Sequence, residues 1–179
     1  MSLLIKSNQT NWFVILTSAN AEQKVYNRII DKGYKAFLPT YECISIWSDR
    51  KKKINKPLIS CTLFVKCTQK ELYDLYTVPG VSGVLRYLGQ PAVVQEWEIE
   101  NLRIVLKEFK GQPIEEAFEH IMPGENIRVV RGPFKGLYGT SLECEGRHRV
   151  LITIDSIGAA FTINVPRSYV KTVNEQQIA

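Results

Sequence analysis

Met122 to Thr140, MPGENIRVVRGPFKGLYGT, contains two β-rich runs that meet at a glycine-punctuated turn. β-Branched residues from Ile127 to Val130 favour a strand, and Gly132 to Gly136 then reverses the chain before Leu137 resumes it. The turn glycines can adopt positive φ or let another backbone come close, and Pro133 fixes one φ. The stretch therefore predicts a β-hairpin, and most turns of this kind are structural.

Four further strands follow the first at the short spacing of a small barrel. The five predicted strands are Asn126 to Arg131, Leu137 to Cys144, His148 to Ser156, Ala159 to Val165 and Ser168 to Thr172. This spacing predicts a five-stranded β-barrel of the SH3 or Tudor kind over residues 123–173.

The first part of the chain alternates strand and helix patterns in the order β-α-β-β-α-β-α. The predicted elements are a strand at Trp12 to Thr17, a helix capped by Asn20 and ended by Gly33, extended arms at Lys35 to Leu38 and Tyr41 to Trp47, a basic loop at Ser48 to Lys56, a strand at Leu58 to Cys67, a helix at Gln69 to Thr77, a strand at Val81 to Leu88 and a helix at Gln95 to Phe109. We expect an α+β domain over 10–109, with helices on one face of an antiparallel sheet, and a linker over 110–122.

Three ordered blocks resemble one known family. The pattern G-E-x-I-x-V-x-x-G-P-F-x-G-x-x-G is similar to the KOW motif of NusG-type transcription elongation factors, with Gly132, Pro133, Phe134, Gly136 and Gly139 as its turn residues. Asn11 to Thr17, and the blocks from Pro57 to Gly89, resemble the N-terminal (NGN) domain of the same family. The match covers residues 11–172 and is most like the specialised RfaH and UpxY paralogs. It implies an NGN domain followed by an SH3-like KOW barrel.

A docking surface for RNA polymerase is implied on one face of the first sheet. Because side chains alternate along a strand, Trp12 and Leu16 share the face opposite Phe13, and we expect no helix to cover that face. The polymerase-binding residues carried over from the family are Trp12, Leu16, Ile59, Thr62, Phe64 and Tyr87. The resemblance departs at Thr62, where family members carry an aromatic residue. The structural alternative is that these side chains fill a core.

A second candidate surface is basic. The nucleic-acid-binding candidates are Lys24, Arg28, Arg50, Lys51, Lys52 and Lys53, and the specialised members of the family touch the non-template DNA strand with such a surface. About four phosphate contacts would give a log-log salt slope of roughly −3. The alternative is a solvated charged loop.

Composition sets limits on the function. The net charge of +5 and pI of about 9.0 suit a polyanion partner without requiring one. The four cysteines have no CxxC spacing, so we expect reduced thiols and no metal site. No apolar run approaches the roughly 20 residues that a membrane helix needs, so we expect a cytoplasmic protein. We also expect a monomer without a cofactor. The chain has two histidines, His120 and His148, that could act as a catalytic base. Cys144 near His148 could form a nucleophilic pair, but no orienting group accompanies them, so we predict no enzyme activity.

These observations predict a non-catalytic elongation factor that binds bacterial RNA polymerase and suppresses pausing and termination, as an operon-specific antiterminator. The resemblance also implies that the barrel recruits a ribosomal protein or the Rho factor. In RfaH-type members the barrel can refold as a helical hairpin, but Val150 to Ile154 favours strand here. The alternative function is a stand-alone RNA- or ribosome-binding KOW module.

Overall fold

The computed structural model describes residues 9–46, 51–108, 124–144, 147–154 and 159–173. It comprises two compact units, Met1–Gln95 and Glu96–Ala179. Antiparallel sheets combined with a few helices confirm the predicted α+β class. None of the helices in the described ranges is both long and apolar enough to cross a membrane.

The first unit is built on a sheet in the order β2-β5-β1-β6, with β9 also paired to β1. Its elements are β1 Asn11–Thr17, α1 Glu22–Asp31, β2 Lys35–Phe37, β3 Thr40–Ile46, β4 Lys51–Pro57, β5 Thr62–Cys67, α2 Leu72–Leu75, β6 Val81–Val84, β7 Arg86–Tyr87, β8 Gln90–Pro91 and β9 Val93–Val94. Strands β3 and β4 form a two-stranded ribbon, and so do β7 and β8.

Alternation along β1 places one set of apolar side chains under the helices. Phe13 and Ile15 are fully buried and pack with Val25 and Ile29 of α1. The same core takes Leu63, Val65 and Cys67 from β5, Leu72 and Leu75 from α2, and Val78 and Val84. This face of the sheet is the helix-covered face that the alternation predicted.

Helix α1 begins differently from the prediction and ends as predicted. Asn20 has φ 59, and the N-cap is Ala21, which makes no side-chain cap hydrogen bond. The Glu22 carboxylate instead accepts the Cys61 N–H at 2.9 Å, which ties the start of α1 to the residue before β5. Gly33 has φ 87 and donates its N–H to the Ile30 carbonyl at 2.8 Å, so this glycine ends the helix in the left-handed region.

Local backbone geometry shortens or splits several predicted elements. Strand β5 begins at Thr62 because Cys61 lies in the left-handed region at φ 55. The predicted strand Val81 to Leu88 divides into β6 and β7, and Leu88, at φ 49, lies in the turn to β8. The prediction of a basic loop at Ser48 to Lys56 is wrong over the described part, where Lys51–Pro57 pairs with β3. Lysine has a weak strand propensity, so the pattern of this segment did not indicate its cross-strand partner.

The second unit contains one helix and a five-stranded antiparallel sheet in the order β13-β12-β11-β10-β14. Its elements are α3 Glu96–Glu108, β10 Asn126–Val129, β11 Tyr138–Cys144, β12 Arg147–Ile154, β13 Ala159–Asn164, a 3₁₀ turn at Arg167–Tyr169 and β14 Val170–Thr172. Each predicted strand is present. The described pairings run from β13 to β14 without joining the two, so closure of the sheet as a barrel stays a prediction.

Helix α3 packs against this second sheet. Val105 is fully buried in the same core as Ile127, Leu137 and Ile152. The side chain of Asn101, 1% exposed, donates to the Tyr138 carbonyl at 2.8 Å and accepts the Tyr138 N–H at 3.0 Å. The helix therefore belongs to the second compact unit, whereas the predicted boundary at 109 assigns it to the first domain. We keep the predicted domain boundaries as a proposal.

The glycine-rich turn between β10 and β11 is held by backbone hydrogen bonds. Gly136 donates to the Val129 carbonyl at 2.8 Å, and Lys135 donates to the Gly132 carbonyl at 3.2 Å. Gly132 has φ 82, and a Cβ on it would lie 2.7 Å from the ring of Tyr169. The turn therefore requires glycine at this position for two independent reasons, its backbone conformation and its close neighbour.

Replacing Gly132 by alanine should lower the free energy of unfolding by about 1–3 kcal/mol, because a left-handed non-glycine residue is strained and the methyl group would displace Tyr169. Chemical denaturation followed by circular dichroism measures the change. Gly83→Ala is the matched control, because nothing lies within 4 Å of the point where its methyl group would sit and its φ is not positive. Equal losses in both variants, or none in Gly132→Ala, would contradict this account of the turn.

Candidate functional site

The sheet of the first unit brings four of the six predicted polymerase-binding residues onto one face. Trp12 lies opposite Lys66, and Leu16 lies opposite Thr62. Val14, between them on β1, lies opposite Phe64. The shared face therefore follows the alternation that the sequence predicted, and Ile59 and Tyr87 lie outside these strands.

The sequence predicted that this face is open to solvent, but in the structure most of its predicted contact residues are buried. Trp12 is 2% exposed, Thr62 6% and Phe64 0%, while Leu16 and Ile59 are partly buried. Only Tyr87 among the six is strongly exposed, at 73%. Burial of the aromatic side chains matches the structural alternative, in which they fill a core. Their role in binding a partner stays a prediction.

Lysines and aromatic rings form two rows across this face. The ammonium nitrogens of Lys35 and Lys66 lie 6.0 and 5.8 Å from the centre of the Trp12 ring. One row further along, the Phe37 and Phe64 rings stack with centroids 6.1 Å apart. A cation over the face of an indole is attracted by the quadrupole of the ring. Trp12 therefore interacts favourably with the ammonium groups of both Lys35 and Lys66.

An exposed aromatic patch lies where α2 meets the β7–β8 ribbon. Tyr73 and Tyr76 of the α2 segment are 69% and 43% exposed, and Leu88, at the ribbon turn, is 86% exposed. The Arg86 guanidinium donates to the Gly89 carbonyl at 3.2 Å and to the Tyr76 hydroxyl at 3.5 Å. The hydrogen bond to Tyr76 raises the pKa of Arg86 above its ordinary value. The sequence signal for this patch was the presence of three tyrosines and an arginine between positions 73 and 87. Helical periodicity alone does not show that these side chains are exposed together.

The predicted nucleic-acid residues are spread over separate elements. Lys24 and Arg28 are exposed on α1, and a guanidinium nitrogen of Arg28 donates to the Pro79 carbonyl. Lys53 lies on β4 and forms an ion pair with Glu42 of β3 at 3.6 Å, with both side chains exposed. Arg50 and the side chains of Lys51 and Lys52 lie outside the described residues.

The lysine run lies on β4 of the β3–β4 ribbon. Lys51, Lys52 and Lys53 pair with Ile46, Ser45 and Ile44 in succession. The run is therefore part of a paired strand.

The residues predicted to form a KOW motif lie in or beside the turn between β10 and β11. Gly136 has φ 99, and Pro133 is exposed. Phe134, predicted as a contact at the tip, is half-buried and packs against the core of the second unit. Gly139 lies within β11 opposite Ile127, so it is a strand residue.

The described residues contain no cluster of three or more His, Cys, Asp or Glu side chains that could hold a metal ion. Cys43, Cys61 and Cys67 are free thiols. Burial, with a smaller contribution from the nearby charge of Glu71, raises the pKa of Cys67 to about 12. This thiol therefore stays protonated near neutral pH and is a poor nucleophile.

Thr68 and Glu71 form a reciprocal capping arrangement just before α2. The Glu71 carboxylate accepts the Thr68 N–H at 2.7 Å and its hydroxyl at 2.8 Å, and the Thr68 hydroxyl oxygen accepts the Glu71 N–H at 3.4 Å. This is the T-x-x-E form of a capping box. The bonds from Thr68, its backbone N–H first, lower the pKa of Glu71 from its ordinary value of 4.5.

Comparisons with family models and with proteins of similar sequence point to one family. The family model described as transcription termination factor nusG matches residues 10–103. The transcription termination/antitermination protein NusG of Rickettsia bellii is 25% identical over 174 residues, which cover 89% of this chain and 88% of that protein. Its namesake in Thermus thermophilus is 23% identical over 163 residues, covering 80% of this chain and 89% of that protein. A solved structure titled "Domain interaction in Thermotoga maritima NusG" covers 93% of this chain and 98% of its own, at 20% identity and a TM-score of 0.47.

The capping box predicts a pH-dependent contribution of Glu71 to stability. Because the folded pKa is lowered, the contribution is present above pH 4.5 and is lost as the pH falls through the folded value. The difference in free energy of unfolding between the wild type and Glu71→Gln should therefore become smaller as the pH falls through the folded pKa of Glu71, which lies below 4.5. Urea unfolding at a series of pH values measures it. Glu100→Gln, which removes an exposed carboxylate of α3, is the control, and a pH-independent difference for Glu71→Gln would refute the capping role.

Proposed function

The chain belongs to the NusG family of transcription factors, and on that premise we propose that it is an elongation factor that binds RNA polymerase and suppresses pausing and termination. Within the family it is an antiterminator that serves particular operons, in the manner of the RfaH and UpxY types. It has no catalytic activity of its own. The observation that carries the proposal is the family match over residues 10–103, which spans the complete sheet of the first unit.

RNA polymerase docks on the first unit, and its first contacts are the exposed residues at the β7–β8 turn. Tyr87, at 73% exposure, is the most exposed member of the predicted polymerase-binding set. Exposed tyrosines often dominate protein interfaces, because they bury a large area at a small cost in conformational entropy. Trp12 and Phe64, the other aromatic members of the set, are buried in the same unit and would contact polymerase only if a rearrangement exposed them.

Bridging the polymerase across the DNA channel restrains opening of its clamp. Pausing involves an equilibrium between polymerase states, so a factor that binds one state more tightly shifts the population toward it. A difference of about 1.4 kcal/mol changes that equilibrium about tenfold. A modest interface is therefore sufficient.

The exposed cations of the first unit contact the non-template DNA strand. Lys24 on α1 and Lys53 on β4 remain accessible, whereas Arg28 also supports the Pro79 carbonyl. Contacts of this kind add affinity without reading sequence.

The second unit recruits a further partner through its KOW turn, either a ribosomal protein or Rho. Phe134 is half-buried and offers a limited apolar contact beside the exposed Pro133. The covalent connection to the first unit raises the effective concentration of the second unit near a partner on the same polymerase.

Co-elution with bacterial core RNA polymerase tests the class of function, and Tyr87→Ala tests the surface. The wild type should co-elute, and Tyr87→Ala should bind about tenfold more weakly, because truncating a central interface tyrosine removes much of its contact energy. Fluorescence titration of labelled polymerase measures the affinity.

Ile30→Ala is the matched control, since Ile30 is an exposed apolar side chain, at 42%, on α1 and outside the predicted surface. Failure of the wild type to bind either core enzyme or a nucleic-acid-loaded elongation complex would refute the function. Binding of RNA by residues 96–179, which keep α3 with its sheet, would then favour the stand-alone KOW module.

A salt titration tests the DNA contacts. If about four cations touch phosphates, the log-log slope for single-stranded DNA should be roughly −3, and Lys53→Gln should make it shallower by about 0.7. Glu42→Gln removes the other partner of the same ion pair and should leave the slope unchanged or steepen it. A slope that does not respond to Lys53→Gln would exclude the ribbon from the DNA-binding surface.

A further inference from the structure

The β3–β4 ribbon of the first unit has two outer edges that no other strand covers in the described part of the chain. Strand β3, Thr40–Ile46, pairs there with β4, Lys51–Pro57, and with no further strand. Backbone hydrogen bonds outside the ribbon, among the same described residues, involve neither strand. An uncovered edge presents a row of N–H and C=O groups, which is a template for pairing with another strand.

The two edges of the ribbon differ in charge. Strand β4 reads KKKINKP, so four of its seven residues are lysines. Strand β3 reads TYECISI, and Glu42 is its one charged residue. Lysines along an edge oppose the addition of a further strand, and natural sheets use them for that purpose. The β4 edge is therefore protected against strand addition, whereas the β3 edge is not.

The composition of β3 favours pairing with an uncharged strand. Its β-branched and aromatic residues, Thr40, Tyr41, Ile44 and Ile46, are of the types enriched in sheets. The Glu42 carboxylate lies 3.6 Å from the ammonium group of Lys53 in the same ribbon. The single charge of β3 therefore already has a partner on β4, and an added strand need not supply one.

Strand β3 also suits a second copy of itself in the antiparallel orientation. Its seven residues place Cys43 at the centre, so a two-fold axis there sets Cys43 opposite Cys43 of the second copy. The other pairs across the axis are Glu42 with Ile44, Tyr41 with Ser45, and Thr40 with Ile46. None of these pairs opposes like charges, whereas the same arrangement of two β4 strands would set Lys52 against Lys56.

We propose that β3 is a dimerisation edge, at which two copies of this chain pair antiparallel about a two-fold axis at Cys43. The product is a four-stranded sheet in the order β4-β3-β3-β4. A two-fold contact is closed, so it ends at two copies, and the lysines of β4 protect both new outer edges. The monomer expected from the sequence is then one side of an equilibrium with this dimer.

The small size of the contact sets the strength of the dimer. Two seven-residue strands that meet edge to edge bury less surface than the about 1,200 Å² at which stable protein interfaces begin. Main-chain hydrogen bonds supply the affinity in such strand addition, and the cross-strand side chains supply the register. The dimer should therefore dissociate on dilution, and its population should depend strongly on protein concentration.

Analytical ultracentrifugation of the reduced full chain tests the dimer. The weight-average mass should rise from 20.5 kDa toward twice that value as the concentration increases from about 5 to about 500 µM. Cys43→Lys places two ammonium groups opposite each other at the axis, so this variant should lose self-association and stay at 20.5 kDa.

Ile54→Lys is the matched control. Ile54 pairs with Cys43 across the ribbon and is half-buried like it, so the variant adds the same charge to the same cross-strand pair. The new lysine lies on β4, one strand away from the axis, and self-association should match that of the wild type. Circular dichroism establishes that both variants are folded.

Oxidative cross-linking is a second measurement that does not require Cys43→Lys to fold. Directly opposed residues of an antiparallel pair have Cα atoms about 4.5 or 5.5 Å apart, which is within the range that a disulfide spans. Diamide oxidises two facing thiols to a disulfide and takes up their two hydrogens, so it should give a covalent dimer. Cys43→Ser should abolish this product, whereas Cys61→Ser, which removes a free thiol outside the ribbon, should retain it. Peptide mass spectrometry identifies the linked cysteines.

A dimer that is lost in Cys43→Lys, kept in Ile54→Lys and cross-linked through Cys43 supports the β3 edge. A mass that stays at 20.5 kDa at every concentration overturns the proposal, even if the edge accepts a strand of another protein. Species larger than a dimer, equal behaviour of the two lysine variants, or cross-linking through another cysteine also overturns it. Co-elution with polymerase is measured separately, so failure of the proposed function is distinguishable from failure of the dimer.

Discussion

The first unit depends on one strand, β1, which is buried on both faces and paired on both edges. Phe13, Val14 and Ile15 have no exposed surface. One edge of β1 pairs with β5, and the other pairs with β6 and β9. A strand in this position cannot slip by a single residue, because the slip would exchange the side chains of the two faces and break pairs on both edges. The register of β1 therefore determines where the residues of its neighbours lie.

The second unit has a comparable constraint at the start of β11. The glycine-rich turn directs the chain back along β10, and Asn101 of α3 pairs with both backbone groups of Tyr138, where β11 begins. A buried carboxamide that satisfies two backbone groups resists removal, since each orphaned group would cost about 1–3 kcal/mol. Val105 adds an apolar contact on the same side of α3. The helix is therefore part of the structural support of this sheet.

Much of the fold was predictable from the sequence because both sheets consist of β-branched runs bounded by turn residues. The five strands of the second unit lie within about two residues of their predicted ends, as expected where glycine and proline mark the boundaries. The misses have local causes. The left-handed residues Asn20, Cys61 and Leu88 interrupt or displace elements, and non-glycine residues give little warning of that conformation. The contact between Asn101 and Tyr138 could not be predicted, because Asn101 looks like an ordinary polar helix residue until the chain is folded.

The candidate site shows the difference between knowing which face a residue occupies and knowing whether a partner can reach it. Period-two alternation correctly grouped Trp12 with Thr62 and Phe64, because the face of a strand residue is a local property. Burial depends on what packs over that face, which involves residues remote in sequence, so alternation could not anticipate that these three are at most 6% exposed. The accessible aromatic residues lie instead on α2 and the β7–β8 turn, where short elements leave little room for a core. In the described part of the first unit, the aromatic side chains with large exposed surface therefore lie beside α2 and the β7–β8 turn and not on the face around Trp12.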